Sequence, residues 1–542
     1  MSPAPRLRLA TLALVLAACG SGGDGGSTDD LGPGEDAALE AGVDAALLDA
    51  AGEDAAPLDA APDEGEPDLG GPPPPFAYLK AFNAGELDAF GAAIALDGDT
   101  LVVAAPREDA AQRGVVAAGE LPSTPPFEGI GFEDRAFDSG AVYVYRHSEE
   151  TGWELEAYLK ASNAQAEDRF GSAVALEGDL LAVGALLEDG AEDELTDVGA
   201  AYLFEREGTT WRERALLRPS NAAAFDHFGE ALSFSGGELL VGAPLVDGGG
   251  LGVDAGDEGE GNNRGAAYLF AEVQDEESGE ARWQERTIFR STEGGGGFFG
   301  AAVAMDGELV ALGADDDRPF ERASGRVHLF RRDAEGVWVP DGIVQAEFGG
   351  RFDRFGDRVA LRGDVLLVGA PNEDSAARSV DGNENDNDRR NSGAAYAFAR
   401  GDEGWTRSAY LKVTNADSDD NFGQGLFVGE GELFVLAPGE DGASPGPTPG
   451  TFPGDNDLQN TGAAYRFVPR EEGWEPAAYF KALNPGPDDR LETVAASLEF
   501  LVFGAPGEDG GLRAVLGDAS DDRGVDAGAV YVYARGELSG DR

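Results

Sequence analysis

Twelve aspartates recur at fixed spacing, and their carboxylates are the groups in this chain best arranged to do chemistry. Asp88, Asp168, Asp226, Asp353, Asp420 and Asp489 each stand two positions ahead of a phenylalanine or, at the last, Leu491. Asp109, Asp189, Asp247, Asp374, Asp441 and Asp509 form a second rank, each three positions after a proline or the residue that replaces it. One unit breaks both ranks, with Gly297 in place of the first aspartate and Arg318 in place of the second. Joint loss ties the two carboxylates to one local purpose, and two purposes fit. Each can accept backbone N–H groups at a loop base, as an Asx turn does. Alternatively, a pair can share a cation such as Ca²⁺, with loop carbonyls completing six to eight oxygen ligands. A separate stretch, DGNENDND at 381–388, offers alternating oxygens at Asp381, Asn383, Asn385 and Asp388. It lacks the Gly and the distal Glu of an EF-hand loop and is the weaker metal candidate.

The elements that must carry these residues are written several times over. DRFGSAVALEGDLLAVGALLED at 168–189 returns as DRFGDRVALRGDVLLVGAPNED at 353–374. A Phe-Gly pair opens units at Phe90, Phe170, Phe228, Phe299, Phe355 and Phe422, and Leu491-Glu492 is a worn seventh copy. Each unit continues through a small-residue turn such as Gly242-Ala243-Pro244, an insert of variable length, a Gly-Ala-x-Tyr segment and a Trp-led segment. Four short pieces, β-branched or aromatic and bounded by Gly, Asp or Pro, read as four strands. Seven such units predict an all-β chain, a seven-bladed β-propeller of four-stranded antiparallel blades. Strands such as SAVAL and LLAVGA, packed between neighbouring blades, are expected to be apolar on both faces. All six tryptophans stand five residues before the Tyr, Ile or Leu of the fourth strand, a register read as core anchoring. The first piece, FAYLK at 76–80, is a fourth strand with no strands before it, and the chain's last piece is a third strand. The N-terminal strand is therefore expected to complete the seventh blade and close the ring over 76–535.

The formal charge is −63, from 40 basic and 103 acidic residues, which repels phosphate backbones and excludes nucleic acid as a partner. Residues 1–18 read as a signal peptide, with Arg6 and Arg8 ahead of an apolar run too short to span a bilayer. The run ends in Leu16-Ala17-Ala18-Cys19, which resembles the bacterial lipobox and makes Cys19, the sole cysteine, the lipidation site. No disulfide can form within the chain. From 19 to 75 the composition is Asp, Ala, Gly and Pro, too polar to offset ordering, and reads as a disordered acidic tether. Residues 536–542 are a C-terminal tail.

The Phe-Gly, Gly-Ala-Pro and Gly-Ala-x-Tyr signatures resemble the FG-GAP repeats of the integrin α-subunit head and of many bacterial surface proteins. The resemblance implies a propeller used for adhesion or binding, often with calcium held in Asp-rich loops between first and second strands. Here those connections are Asp97-Gly98-Asp99, Glu177-Gly178-Asp179 and Arg362-Gly363-Asp364, too short to wrap Ca²⁺, so the family's calcium loops do not carry over.

The four lysines, Lys80, Lys160, Lys412 and Lys481, share one repeat position, with Arg218, Arg290 and Gln345 in the other units. That repetition predicts a built-in counter-ion for the acidic rim. His147, His227 and His328 fall at unrelated positions, and no phosphate loop or nucleophile elbow accompanies them, so no catalytic residue is assigned. Two Arg-Gly-Asp triplets, at 362–364 and 400–402, coincide with hairpin turns. The expectation is a monomeric, non-enzymatic, lipid-anchored binding or adhesion module at the outer membrane or cell surface. Its acidic loop rim would meet a protein or glycan partner, with Ca²⁺ as the only cofactor considered. The alternative is a propeller-fold lyase or hydrolase with its site at the central channel mouth.

Overall fold

The computed structural model describes residues 77–121, 136–190, 195–256, 262–274, 279–293, 297–316, 324–446, 448–449, 452–509 and 526–535. The signal peptide, Cys19, the tether, Arg318 and the C-terminal tail lie outside the described residues.

Seven antiparallel sheets form, one per repeat, and the repeated sequence explains each strand. The second blade is typical: Phe170–Glu177, Leu180–Ala185, Ala200–Glu207 and Thr210–Leu217 pair in order. First strands touch the first strands of both neighbours, so they ring the central channel. The seventh blade is made from both ends of the described chain. Strand Ala77–Leu79 pairs with Ala529–Ala534, with Tyr78 opposite Tyr531, and completes the sheet begun by Thr493–Ala496 and Phe500–Ala505. The closure read from the sequence is therefore the closure observed.

Burial within a blade is graded. The second strands are almost wholly buried, as in Leu180–Ala185 and Phe500–Ala505. The first strands are mostly half-buried, Ala231–Ser235 throughout, because their side chains line the channel, although Val303–Asp306 of blade four is largely buried. The expectation that SAVAL would be apolar because it is sandwiched is corrected here: Ser172, Ala173 and Val174 face a cavity. Two fourth strands, Ala281–Phe289 and Trp338–Val344, alternate in burial because one face is outermost. In two blades the insert supplies an extra strand that covers this outer edge. Val115–Ala117 pairs with Gly152–Leu159, and Thr448–Pro449 pairs with Trp474–Phe480.

The Phe-Gly signature is a seam between blades. Isolated parallel bridges join Phe90 to Gly528, Phe228 to Gly199, Phe299 to Gly265 and Phe422 to Gly393. In each, the Phe backbone meets the glycine of the preceding blade's Gly-Ala-x-Tyr segment. The Phe ring turns into its own blade, Phe170 lying 5.3 Å from Tyr202 edge to face.

At the opposite end of the channel the first-to-second strand hairpins are also tied across blades. Asp97 accepts the N–H of Gly178 at 2.7 Å, Glu177 those of Gly236 and Gly237, and Asp306 that of Gly363. These acids hold neighbouring turns. The first Arg-Gly-Asp triplet is thereby explained as a hairpin whose glycine N–H serves the ring.

Candidate functional site

The connections between second and third strands and those leading into each Phe-Gly share one rim, as the strand order requires. Both ranks of aspartate form its base. Asp88, Asp168, Asp226, Asp353, Asp420 and Asp489 each accept the backbone N–H three residues earlier, at 2.6–2.8 Å. Asp109, Asp189, Asp247, Asp374, Asp441 and Asp509 each accept a different N–H, at 2.7–3.0 Å. The donors of that second set are Asp138, Asp197, Asn263, Asn391, Asn460 and Asp526, all left-handed with φ between +47° and +51°. Sequence reading missed this third rank, although an Asp or Asn two residues before the Gly of Gly-Ala-x-Tyr was its visible signal. Every paired aspartate thus has a backbone amide of its own, as the turn-forming reading requires.

Burial acts on the first rank. It pushes the Asp353 carboxyl up to about 7 and that of Asp420 to about 8, against the backbone N–H bonds that favour ionisation. The 381–388 insert is engaged in the same way. Asp381 accepts the N–H of Tyr410, Asn383 accepts that of Asn385, and the N–H of Asp388 goes to Asp386. Among the described residues no three His, Cys, Asp or Glu side chains gather closely enough to hold a metal ion.

The lysines do not face the rim as free cations. Lys80, Lys160, Lys412 and Lys481 are buried and paired with Glu508, Glu108, Glu373 and Glu440. Each of these glutamates directly precedes a second-rank aspartate, and Arg218 finds Glu188 in the same way. The expected counter-ion is real, but its partner is the glutamate and not the aspartate. An asparagine three residues beyond the lysine extends the pair into the next blade. Asn83 donates to Glu108 at 2.6 Å and accepts from Tyr143 at 2.7 Å.

On this base the rim displays different chemistry at one backbone position. Leu87, Glu167, Phe225, Phe352, Asp419 and Asp488 all precede the first-rank aspartate with φ between +65° and +74°. Leu87, Phe225 and Phe352 are each about half exposed, at 47%, 56% and 52%. The next ring inward, directly before each Phe-Gly pair or its Leu491-Glu492 copy, reads Ala89, Arg169, His227, Phe298, Arg354, Asn421 and Arg490, again all left-handed.

Two hollows open at this inner ring. One, over the blade that lost both aspartates, is bordered by His227, Glu230, Phe298, Phe352 and Asp315, which replaces the usual proline and is held by Arg354 at 2.7 Å. The other, of about 670 Å³, lies where blades seven, one and two meet, with Arg107, Arg169, Arg490 and Glu492 in its wall. Glu492 also lines the channel below.

Comparison with known proteins bears on the fold. The FG-GAP repeat family model matches residues 153–204, 211–270 and 342–398. No curated protein matches this chain. Among solved structures, a chain of the mitotic checkpoint complex aligns at 13% identity and a TM-score of 0.43, over 89% of this chain and 99% of its own. Sqt1 from Chaetomium thermophilum aligns at 13% identity and a TM-score of 0.36, over 63% and 68%. The chain is thus similar to the FG-GAP repeat over these three stretches, and its seven sheets form a seven-bladed β-propeller.

Proposed function

We propose that this propeller is a binding module whose rim of second-to-third-strand loops and Phe-Gly approaches meets a protein or glycan partner. The observation that carries this is the contrast within the rim. Two ranks of aspartate hold the loop bases of six blades, while the residue they present varies from Leu87 to Phe225, Glu167 and Asp488. Large apolar side chains held outward on left-handed backbone carry a local strain that packing does not repay, and an interaction surface is a physical reason to keep them. The acidic excess favours a basic or neutral partner.

The lipobox-like Leu16-Ala17-Ala18-Cys19 and the acidic composition of 19–75 support a place for this module in the bacterial envelope, held by a lipid on Cys19. The full chain would be used to capture partners from envelope extract, with and without Ca²⁺, alongside a Phe225→Ser, Phe352→Ser variant. The reading predicts a captured protein or glycan that the variant loses at an unchanged melting temperature. Equal capture by both would remove the rim from the function.

A second reading, a site at the channel mouth, is favoured by the convergence of Arg107, Arg169, Arg490 and Glu492 on one hollow.

A further inference from the structure

The seventh copy of the Phe-Gly signature is the one that changed, and the change puts a carboxylate at the neck of the channel. Six blades have glycine at this point, and at Gly91, Gly229 and Gly300 a Cβ would sit 2.4–2.8 Å from a carbonyl oxygen of the preceding blade. Blade seven has Glu492, whose N–H still bonds Gly504 as the glycine N–H groups of other blades bond their second strands. One residue is missing from the bulge that follows, since Thr493 pairs with Gly504 whereas Ala93, two residues after Gly91, pairs with Ala104. The blade thereby accommodates a side chain where the others cannot.

Around Glu492 the chain gathers guanidinium groups, although acids outnumber bases more than twofold. Arg107 is exposed, and its side chain makes no hydrogen bond or ion pair among the described residues. The nearest carboxylate contact of Arg490 is 3.9 Å, to Asp488, and that of Arg169 is 3.7 Å, to Asp138. The same scaffold pairs other cations at 2.6–2.8 Å, as in Lys160–Glu108 and Arg354–Asp315. Three cations from three consecutive blades are thus left loosely paired around one hollow.

We propose that this hollow is a binding site for a sugar acid, a small polyhydroxylated ligand bearing one carboxylate. Arg107 and Arg490 seat the carboxylate, the geometry for which guanidinium groups are suited. The carboxylates of Asp488 and Asp526, also in the wall, accept ligand hydroxyls, and Leu87 and Pro106 cover an apolar ring face. Those acids exclude a polyanion. The volume, about 670 Å³, suits a ligand of one or two sugar rings. Arg107, Arg358 and Arg490 face Glu492 and favour its ionised form, while burial at the neck outweighs them and raises its pKa. Protonated, Glu492 donates to the ligand; ionised, it repels the ligand carboxylate. This site shares Leu87 and Asp488 with the outer rim but does not rest on the rim reading.

The test is titration calorimetry of the full chain with D-glucuronate, D-glucose and inorganic sulfate. The expected result is binding of glucuronate at least tenfold tighter than of glucose or sulfate, tightening as pH falls from 8 to 5. Arg107→Gln and Arg490→Gln should each weaken it at least tenfold without lowering the melting temperature, because neither makes a close ion pair. Glu492→Gln should flatten the pH dependence, and the Phe225→Ser, Phe352→Ser variant should bind normally. No heat with millimolar glucuronate, unchanged affinity in both arginine variants, or sulfate binding as tightly as glucuronate would each overturn the proposal. Loss of partner capture with glucuronate binding intact would fail the rim reading alone.

Discussion

Lys160 and Glu108 lie 2.6 Å apart, side chains 0% and 2% exposed, and fasten the fourth strand of blade one to the start of its insert. Lys160 also donates to the carbonyl of Ala110 and to Ser139 Oγ, so the ammonium is fully satisfied without water. Removing one partner of such a pair leaves a buried charge alone. Lys160→Met should therefore destabilise the protein by about 3–5 kcal/mol, whereas the double variant Lys160→Met, Glu108→Leu should recover much of it. Urea unfolding of the three proteins checks this, and a double variant no better than the single would show that the charges contribute more than their mutual compensation.

Ring closure rests on a strand of three residues. Tyr78 donates to Glu508 at 2.7 Å across 430 positions of sequence, and Lys80 pairs with the same glutamate. A chain lacking residues 76–82 loses this strand, exposes the edge of Ala529–Ala534 and leaves Glu508 without its cation. The melting temperature should fall for the whole ring and not for one blade. A calorimetric trace superimposing on that of the intact chain would refute closure as a stabilising device.

Much of this architecture is legible in the sequence because a repeat states its rules several times. The Phe-Gly and Gly-Ala-x-Tyr glycines mark backbone contacts between blades, and FAYLK without preceding strands marks the closure. The partner of the lysines was not legible, since Glu108 and Asp109 are adjacent acids and only the fold shows which one turns inward. Nor was the neck of the channel. Arg107, Arg169 and the Arg490–Glu492 segment come from three separate blades, and Glu492 reads in one dimension as wear on a motif.

Burial raises the carboxyls of Asp353 and Asp420 to about 7 and about 8, against an unfolded value near 4. Between those limits the folded state binds more protons than the unfolded state. Stability from these groups is full below about pH 4 and is lost as pH rises through 7 to 8. Asn at either position retains an oxygen for the N–H of Gly350 or Asp417 but does not titrate. Asp353→Asn and Asp420→Asn should raise the melting temperature at pH 8 more than at pH 5. Parallel pH profiles for variant and parent would refute the shifts.

The paired aspartates separate turn formation from cation sharing. Asp168 holds the N–H of Gln165 at 2.8 Å and Asp189 that of Asp197 at 3.0 Å. Asp189→Ala should cost about 1–3 kcal/mol with or without calcium, because a charged acceptor is lost. Asp189→Asn should cost less. Millimolar Ca²⁺ should leave the melting temperature of the parent unchanged. Had a pair shared Ca²⁺, saturation a hundredfold above its dissociation constant would add about 2.7 kcal/mol, absent from Asp168→Asn, Asp189→Asn. A calcium-dependent rise abolished in that variant would establish the cation site.

Two glycines with similar backbone separate seam from turn. Gly140, at φ +79°, closes the insert of blade one, and a Cβ there would sit 2.0 Å from the carbonyl oxygen of Phe170 in the next blade. Gly98, at φ +57°, heads a hairpin, and a Cβ there would meet nothing within 4 Å. Gly98→Ala should therefore cost only the left-handed penalty of roughly 1–2 kcal/mol. Gly140→Ala incurs the same penalty and must also push apart the backbones of blades one and two, where Phe170 N–H bonds Ser139 at 3.1 Å. Because both blades belong to a closed ring, the displacement cannot relax outward without opening another seam. Gly140→Ala should therefore lower the melting temperature far more than Gly98→Ala and accelerate hydrogen exchange at Phe170. Equal effects of the two substitutions would mean that the glycine is kept for its own backbone angle and not for the approach of the neighbouring blade.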